Sequence, residues 1–196
     1  MKILLHTCCG PCASACVPRL QAEGHEVTLF YANSNIDTAE EFERRRAAAQ
    51  TLADHDGVPL VADAYDHAAW LREAAAGYEN EPEKGARCAR CFRFNLARTA
   101  AYAAAHGFDA FATSLTVSPH KVSPVIFAQG DAVAAPLFLH ADFKKKEGFK
   151  LSVRRAAELG LYRQSYCGCE FSKGSETDET SPTRRAVCGK TARTVR

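Results

Sequence analysis

The sequence predicts an α/β fold, a largely parallel sheet with helices on both faces. Three observations carry it. Short runs rich in β-branched and aromatic residues alternate with helical segments along the first 160 residues or so. The chain has 196 residues, 46% apolar and 24% charged, which suits one globular domain rather than two. The first strand-like run ends in Cys8-Cys9-Gly10-Pro11-Cys12, and ligands of such sheets bind at the carboxyl ends of strands.

Taken in order, Ile3-Leu4-Leu5-His6-Thr7 reads as the first strand, and Pro11 suits the first turn of a helix running to residue 23, which Gly24 ends. Val27-Thr28-Leu29-Phe30-Tyr31 is a second strand. Asp37 or Thr38 caps a helix over 39–53, with Glu40 and Glu41 favourable to its dipole. Residues 58–62 make a third strand and 68–76 a short helix. An irregular polar stretch over 77–86 leads to a long helix over 87–105, stopped by Gly107. Residues 110–115 form a fourth strand, 125–134 a helix, 136–140 a fifth strand and 151–159 a last helix. Residues 1–172 are therefore expected to be a single α/β domain, and 173–196, aperiodic and polar, a mobile tail.

The composition is unusual in one respect: nine cysteines against a single Met and a single Trp. An odd count leaves at least one thiol unpaired, and no stretch approaches the ~20 apolar residues of a membrane span. The chain is expected to be cytoplasmic, where thiols stay reduced and clustered cysteines suggest metal or redox chemistry. Charge is uneven: residues 1–139 hold 12 basic and 16 acidic side chains, residues 140–196 hold 13 and 7. A basic final third fits either a polyanionic partner such as RNA or a solvated surface.

The cysteines divide by spacing. Cys8 and Cys9 can face one site only if the chain leaves the strand there, and Gly10-Pro11 supplies the turn. Cys88 and Cys91, three apart at the start of the long helix, place both sulfurs on one face. Four thiolates suit an iron–sulfur cluster or structural zinc, and the vicinal pair, unlike a zinc knuckle, favours the cluster. Cys167-Gly168-Cys169 can close a small, strained, easily reduced disulfide if Gly168 bends the chain, or bind a metal. Cys16 reads as a small core residue and Cys188 carries no assigned role. Nucleotide-binding glycine fingerprints, a GxSxG elbow and an HExxH helix are absent from the sequence, and the seven histidines lack ligand spacing.

These segments, with Glu79-Asn80-Glu81-Pro82-Glu83, Arg87-Cys88-Ala89-Arg90-Cys91-Phe92, Ser118-Pro119-His120-Lys121, Asp142-Phe143-Lys144-Lys145 and the run from Leu161 to Cys169, resemble QueH-type epoxyqueuosine reductases over residues 1–172. Ser34 departs from an expected Asn-Pro-Asn turn. The resemblance implies a Rossmann-like fold of the HUP type. It implies reduction of epoxyqueuosine to queuosine at the wobble position of tRNA anticodons, without cobalamin. It further implies a 4Fe–4S cluster on Cys8, Cys9, Cys88 and Cys91, a redox-active disulfide of Cys167 and Cys169, and an additional iron ion with Cys12 as candidate ligand. The implied partners are a tRNA and an electron donor. Lys144, Lys145, Lys146, Lys150, Arg154 and Arg155 would then meet phosphates, and an exposed Tyr162 or Tyr166 would stack on a base. The competing readings are another iron–sulfur tRNA-modifying enzyme, thiolase-like, and a zinc-binding RNA-interacting protein.

Overall fold

A computed structural model describes residues 1–173. Beyond Lys173, the expected tail, and Cys188 with it, lies outside the described residues. Four parallel strands, β1 (Lys2–His6), β2 (Glu26–Tyr31), β3 (Leu60–Ala62) and β4 (Ala110–Thr113), pair in the order β3-β2-β1-β4. Helices α1 (Gly10–Ala22), α2 (Ala39–Asp56), α3 (His67–Trp70), α4 (Ala86–Ala105), α5 (Ser123–Ala134) and α6 (Gly148–Glu158) cover the sheet.

Alternation along β1 explains why both faces need cover. Ile3 and Leu5 point into a core built with α1, α2 and α6, whereas Leu4 points into the opposite core with α4 and α5. All three are fully buried, each contributing ~1.5–3 kcal/mol by its removal from water. A strand apolar on both sides is the mark of a covered parallel sheet. Thr38 caps α2 by accepting from the Glu41 amide at 3.2 Å, and Gly57 ends it in the left-handed region, so α2 runs one turn past the expected residue 53.

The other boundaries shift for local reasons. The expected fifth strand over 136–140 is reduced to one parallel bridge, Phe111 to Phe138, made by two hydrogen bonds of 2.8 Å through the Phe111 amide and carbonyl. Pro136 has no N–H with which to extend that edge. β4 stops at Thr113, because its hydroxyl takes the Leu115 amide at 3.2 Å and starts a 3₁₀ turn, Ser114–Val117. The helix expected over 68–76 is α3 followed by a π-helical turn, Leu71–Ala75. β3 begins at Leu60 rather than 58.

The strand order reverses at β1, which has β2 on one side and β4 on the other. Open α/β sheets bind ligands in the crevice beyond the carboxyl ends of such strands. The chain leaves β1 into Cys8 and leaves β4 into Ser114.

Candidate functional site

The turn after β1 is held on every side. The Thr7 amide donates to the Phe30 carbonyl at 2.8 Å, and Asn33 donates to the Thr7 carbonyl at 2.8 Å. Cys9 is extended (φ −170°, ψ 160°) and caps α1, its sulfur accepting the Cys12 amide at 3.5 Å. Gly10 follows because α1 leans on α2 there: a Cβ would sit 2.6 Å from the Ala48 carbonyl oxygen. The Cys8 amide donates to the Ser114 hydroxyl at 3.0 Å, which in turn lies 3.3 Å from the Cys8 sulfur. β1 and β4 are thus joined at the site itself.

The Cys8 and Cys9 sulfurs are 4.0 Å apart, and with Cys12 the three sulfurs lie within 4.8 Å of one another. The Cys9 thiol is held well below its ordinary range by hydrogen bonds from Cys12 and Cys8, while Cys12, whose proton serves Cys8 and Cys9, is pushed well above it. The amino end of α1 favours the same anion. Two sulfurs bound at ~2.3 Å to one tetrahedral ion stand ~3.8 Å apart. The nest therefore offers soft, thiolate-rich donors at metal-binding spacing, and a soft metal or an iron–sulfur centre fits it.

Cys88 and Cys91 stand on the first turns of α4. Arg87, buried, donates to the carbonyls of Tyr78, Glu79 and Glu81 at 2.8, 2.9 and 2.6 Å, tying the irregular stretch down at the helix start. The Cys88 sulfur accepts the Lys84 amide at 3.3 Å, and the Asn95 side-chain amide points at Cys91 from 3.8 Å. Burial pushes the Cys88 thiol up, and Cys91 further. Both cysteines line one cavity with Cys167, Cys169, Lys121 and Trp70. The buried Trp70 indole nitrogen has no hydrogen-bond partner among the described residues. Lys121 lines the same cavity, and the charge of neighbouring cysteine sulfurs, Cys167 first, outweighs burial and pushes its pKa far above the ordinary lysine value.

Cys167 is exposed, Cys169 is buried, and both are free thiols. Residues 161–172 are fastened by side chains to α2 and to the turn before it. Tyr166 donates to Asp37 at 2.8 Å and Tyr162 to Glu41 at 3.1 Å, while the Arg44 guanidinium sits 3.7 Å from the Tyr162 ring centre. Neither tyrosine is the exposed stacking platform expected from sequence; each is half-buried, with a cation on one face and its hydroxyl engaged. The basic segment also needs correction. Arg155 is spent on Asp56 and the Ser14 carbonyl, and Lys144 donates to the Lys121 carbonyl at 2.6 Å. Lys145 and Lys146 remain exposed.

Cys16 is fully buried beside Val17 and Leu20, the small core residue expected. His6, which borders the cysteine turn in sequence, is a core histidine. Its Nε2 faces the Ala32 carbonyl at 3.1 Å and so carries the proton, Nδ1 accepts from Thr113 at 2.9 Å, and burial lowers its pKa. Sequence reasoning missed Ser114, Trp70 and Arg45. It noted Lys121 only within a motif, since nothing in its neighbours says which way that side chain turns.

With this geometry in view, similarity to known proteins is informative. The sequence model described as epoxyqueuosine reductase QueH matches residues 3–175. Epoxyqueuosine reductase QueH of Streptococcus pyogenes serotype M1 is 37% identical over 180 residues, covering 87% of this chain and 70% of that protein. The proteins of the same name from Dehalococcoides mccartyi and Thermotoga maritima are 32% and 33% identical over 176 residues, covering 88% and 87% of this chain and 92% and 89% of theirs. The chain belongs to the epoxyqueuosine reductase QueH family of oxidoreductases.

Proposed function

We propose that this chain reduces epoxyqueuosine to queuosine at the wobble position of tRNA anticodons, the last step of queuosine biosynthesis, in the cytoplasm and without cobalamin. The observation that supports this most, beside family membership, is convergence. Cys88 and Cys91 on α4 and Cys167 and Cys169 line one cavity with Lys121, and Cys8 packs with Cys88 against the same apolar cluster. Neighbouring cysteines far apart in sequence, near the carboxyl ends of β1 and β4, support the reading.

In this reading, residues 1–172 are the catalytic domain. Cys8, Cys9, Cys88 and Cys91 would hold a 4Fe–4S cluster, and Cys12 would serve an additional iron ion. Such a cluster, when bound, supplies electrons one at a time at a potential set by its surroundings. Removing the epoxide oxygen as water and leaving a double bond consumes two electrons and two protons. A dithiol that closes to a disulfide releases the same number of each, and Cys167 with Cys169 would fill that role. An external electron donor would then reopen the pair. Lys121 contributes a positive charge to the cavity that these sulfurs line.

A tRNA would dock by charge. Besides Lys145 and Lys146, the exposed Arg93 lines a groove along α4, where Arg90 and Arg98 are already engaged by the Glu73 and Ala74 carbonyls and by Asp63. The test is mass spectrometry of tRNA nucleosides from cells lacking the gene. Epoxyqueuosine should accumulate and queuosine disappear; unchanged queuosine would refute the reading. Anaerobic purification should give iron and sulfide, whereas zinc without sulfide would favour an RNA-binding protein.

A further inference from the structure

We propose that Arg45, on the middle of α2, is the positioning residue of the Cys167-Gly168-Cys169 pair and holds it open as a dithiol. The inference rests on the redox reading of that pair. Arg45 is 1% exposed, the one member of the run Arg44-Arg45-Arg46 that points inward. A buried guanidinium is costly unless every donor is used. Here Nε donates to Glu41 at 2.7 Å, Nη1 to the Cys167 carbonyl at 2.9 Å and Nη2 to the Tyr166 carbonyl at 3.4 Å. The same group lies 4.9 Å from the Tyr166 ring centre. One rigid fork therefore fixes two consecutive peptide planes immediately before Gly168.

Both backbone polar groups of Gly168 are fastened as well. The Asp37 amide donates to the Gly168 carbonyl at 3.0 Å, and the Gly168 amide donates to the Ser172 hydroxyl at 3.2 Å. Gly168 has φ +139°, and a Cβ there would lie 3.1 Å from Arg45 Nη1 and from Asn35 Nδ2. Arg45 thus shapes the turn through its bonds and walls it by its bulk. Mere stability would not require a charge at this place, since apolar packing usually serves a core as well as a buried ion pair.

The consequence is a bias in the thiol equilibrium. Closing the pair breaks two S–H bonds and forms one S–S bond. Two electrons pass to the acceptor, the epoxide in the proposed reaction, and two protons leave with its oxygen as water. Closure also requires the two Cβ atoms to come within ~3.8 Å, which bends a turn whose carbonyls Arg45 holds. The structure holds both thiols free. Arg45 accordingly favours the dithiol, and its removal eases closure.

The test uses the full-length, iron-loaded chain equilibrated with graded ratios of reduced and oxidised dithiothreitol. Alkylation and mass spectrometry then count the Cys167–Cys169 disulfide. Arg45→Met should shift the equilibrium about tenfold toward the disulfide, ~30 mV more negative, and Arg45→Lys, which keeps charge without the fork, by roughly half that in mV. A purely structural residue would lower the melting temperature and leave that equilibrium alone. If Arg45→Met does not fold, Arg45→Lys carries the test. A folded variant with the wild-type equilibrium overturns the role of Arg45, whereas a wild-type chain that forms no disulfide at any ratio overturns the redox reading of the pair.

Discussion

The turn that carries Cys8, Cys9 and Cys12 and the turn that carries Cys167 and Cys169 reach the same crevice by different means. The first is a joint of the scaffold: a buried strand ends, a helix begins, and main-chain bonds to neighbouring strands set the direction of each sulfur. The second is hung from α2 and the turn before it by the side chains of Asp37, Glu41, Arg44 and Arg45. A scaffold joint suits a group that must not move. A side-chain suspension suits thiols that change their bonding, since hydrogen bonds worth ~1 kcal/mol each can yield without unfolding the sheet.

The contrast can be broken most severely at the joint. Cys9→Ser replaces the sulfur that caps α1 and accepts from Cys12, so iron and sulfide content and queuosine formation should all be lost, as metal analysis and nucleoside mass spectrometry would read. Gly168→Ala should come next. A side chain at φ +139° costs ~1–3 kcal/mol and meets Arg45 and Asn35, so turnover should fall roughly 10–100-fold with iron content unchanged. Ser114→Ala removes the hydroxyl that faces the Cys8 sulfur; iron affinity, followed by chelator competition, should drop about 10-fold.

Asp37→Asn should have the smallest effect and sharpens the description of the suspension. Burial alone would raise the Asp37 carboxyl, but hydrogen bonds from Lys173 and Tyr166 outweigh it and hold it below the usual range. A carboxyl with a lowered folded pKa stabilises the fold above its unfolded pKa and loses that contribution as pH falls below about 4. The substitution should therefore cost under ~1 kcal/mol at pH 7 and less at pH 3, measured by denaturant titration. An equal cost at both pH values would mean that the ion pair plays no part.

Local chemistry made the scaffold joint legible in sequence. Ile3-Leu4-Leu5 announces a covered strand, Gly10-Pro11 a turn into a helix, and Cys88 with Cys91 a shared helical face; the structure has all three. Spacing alone left zinc open for the first set and metal binding open for Cys167 and Cys169, and the family resemblance implied one role for each. The suspension was illegible because its bonds join residues more than 120 positions apart: Arg45 to Cys167, Glu41 to Tyr162, Asp37 to Tyr166. Nothing local distinguishes Arg45 from Arg44 and Arg46, and Tyr162 and Tyr166 read as exposed because their partners lie on α2 and in the turn before it. Lys144 and Arg155 misled for the same reason, each being a basic side chain engaged by a distant acceptor. The fifth strand failed on reach, its edge limited to one bridge.

The central claim is that the two turns divide the labour, metal binding at the joint and electron delivery at the suspension. It is tested most directly by measuring iron and labile sulfide in anaerobically purified Cys167→Ser and Cys169→Ser proteins, alongside queuosine formation on epoxyqueuosine-containing tRNA. The account predicts wild-type iron and sulfide with no turnover. Loss of iron in either variant would make Cys167 or Cys169 a metal ligand and contradict the division.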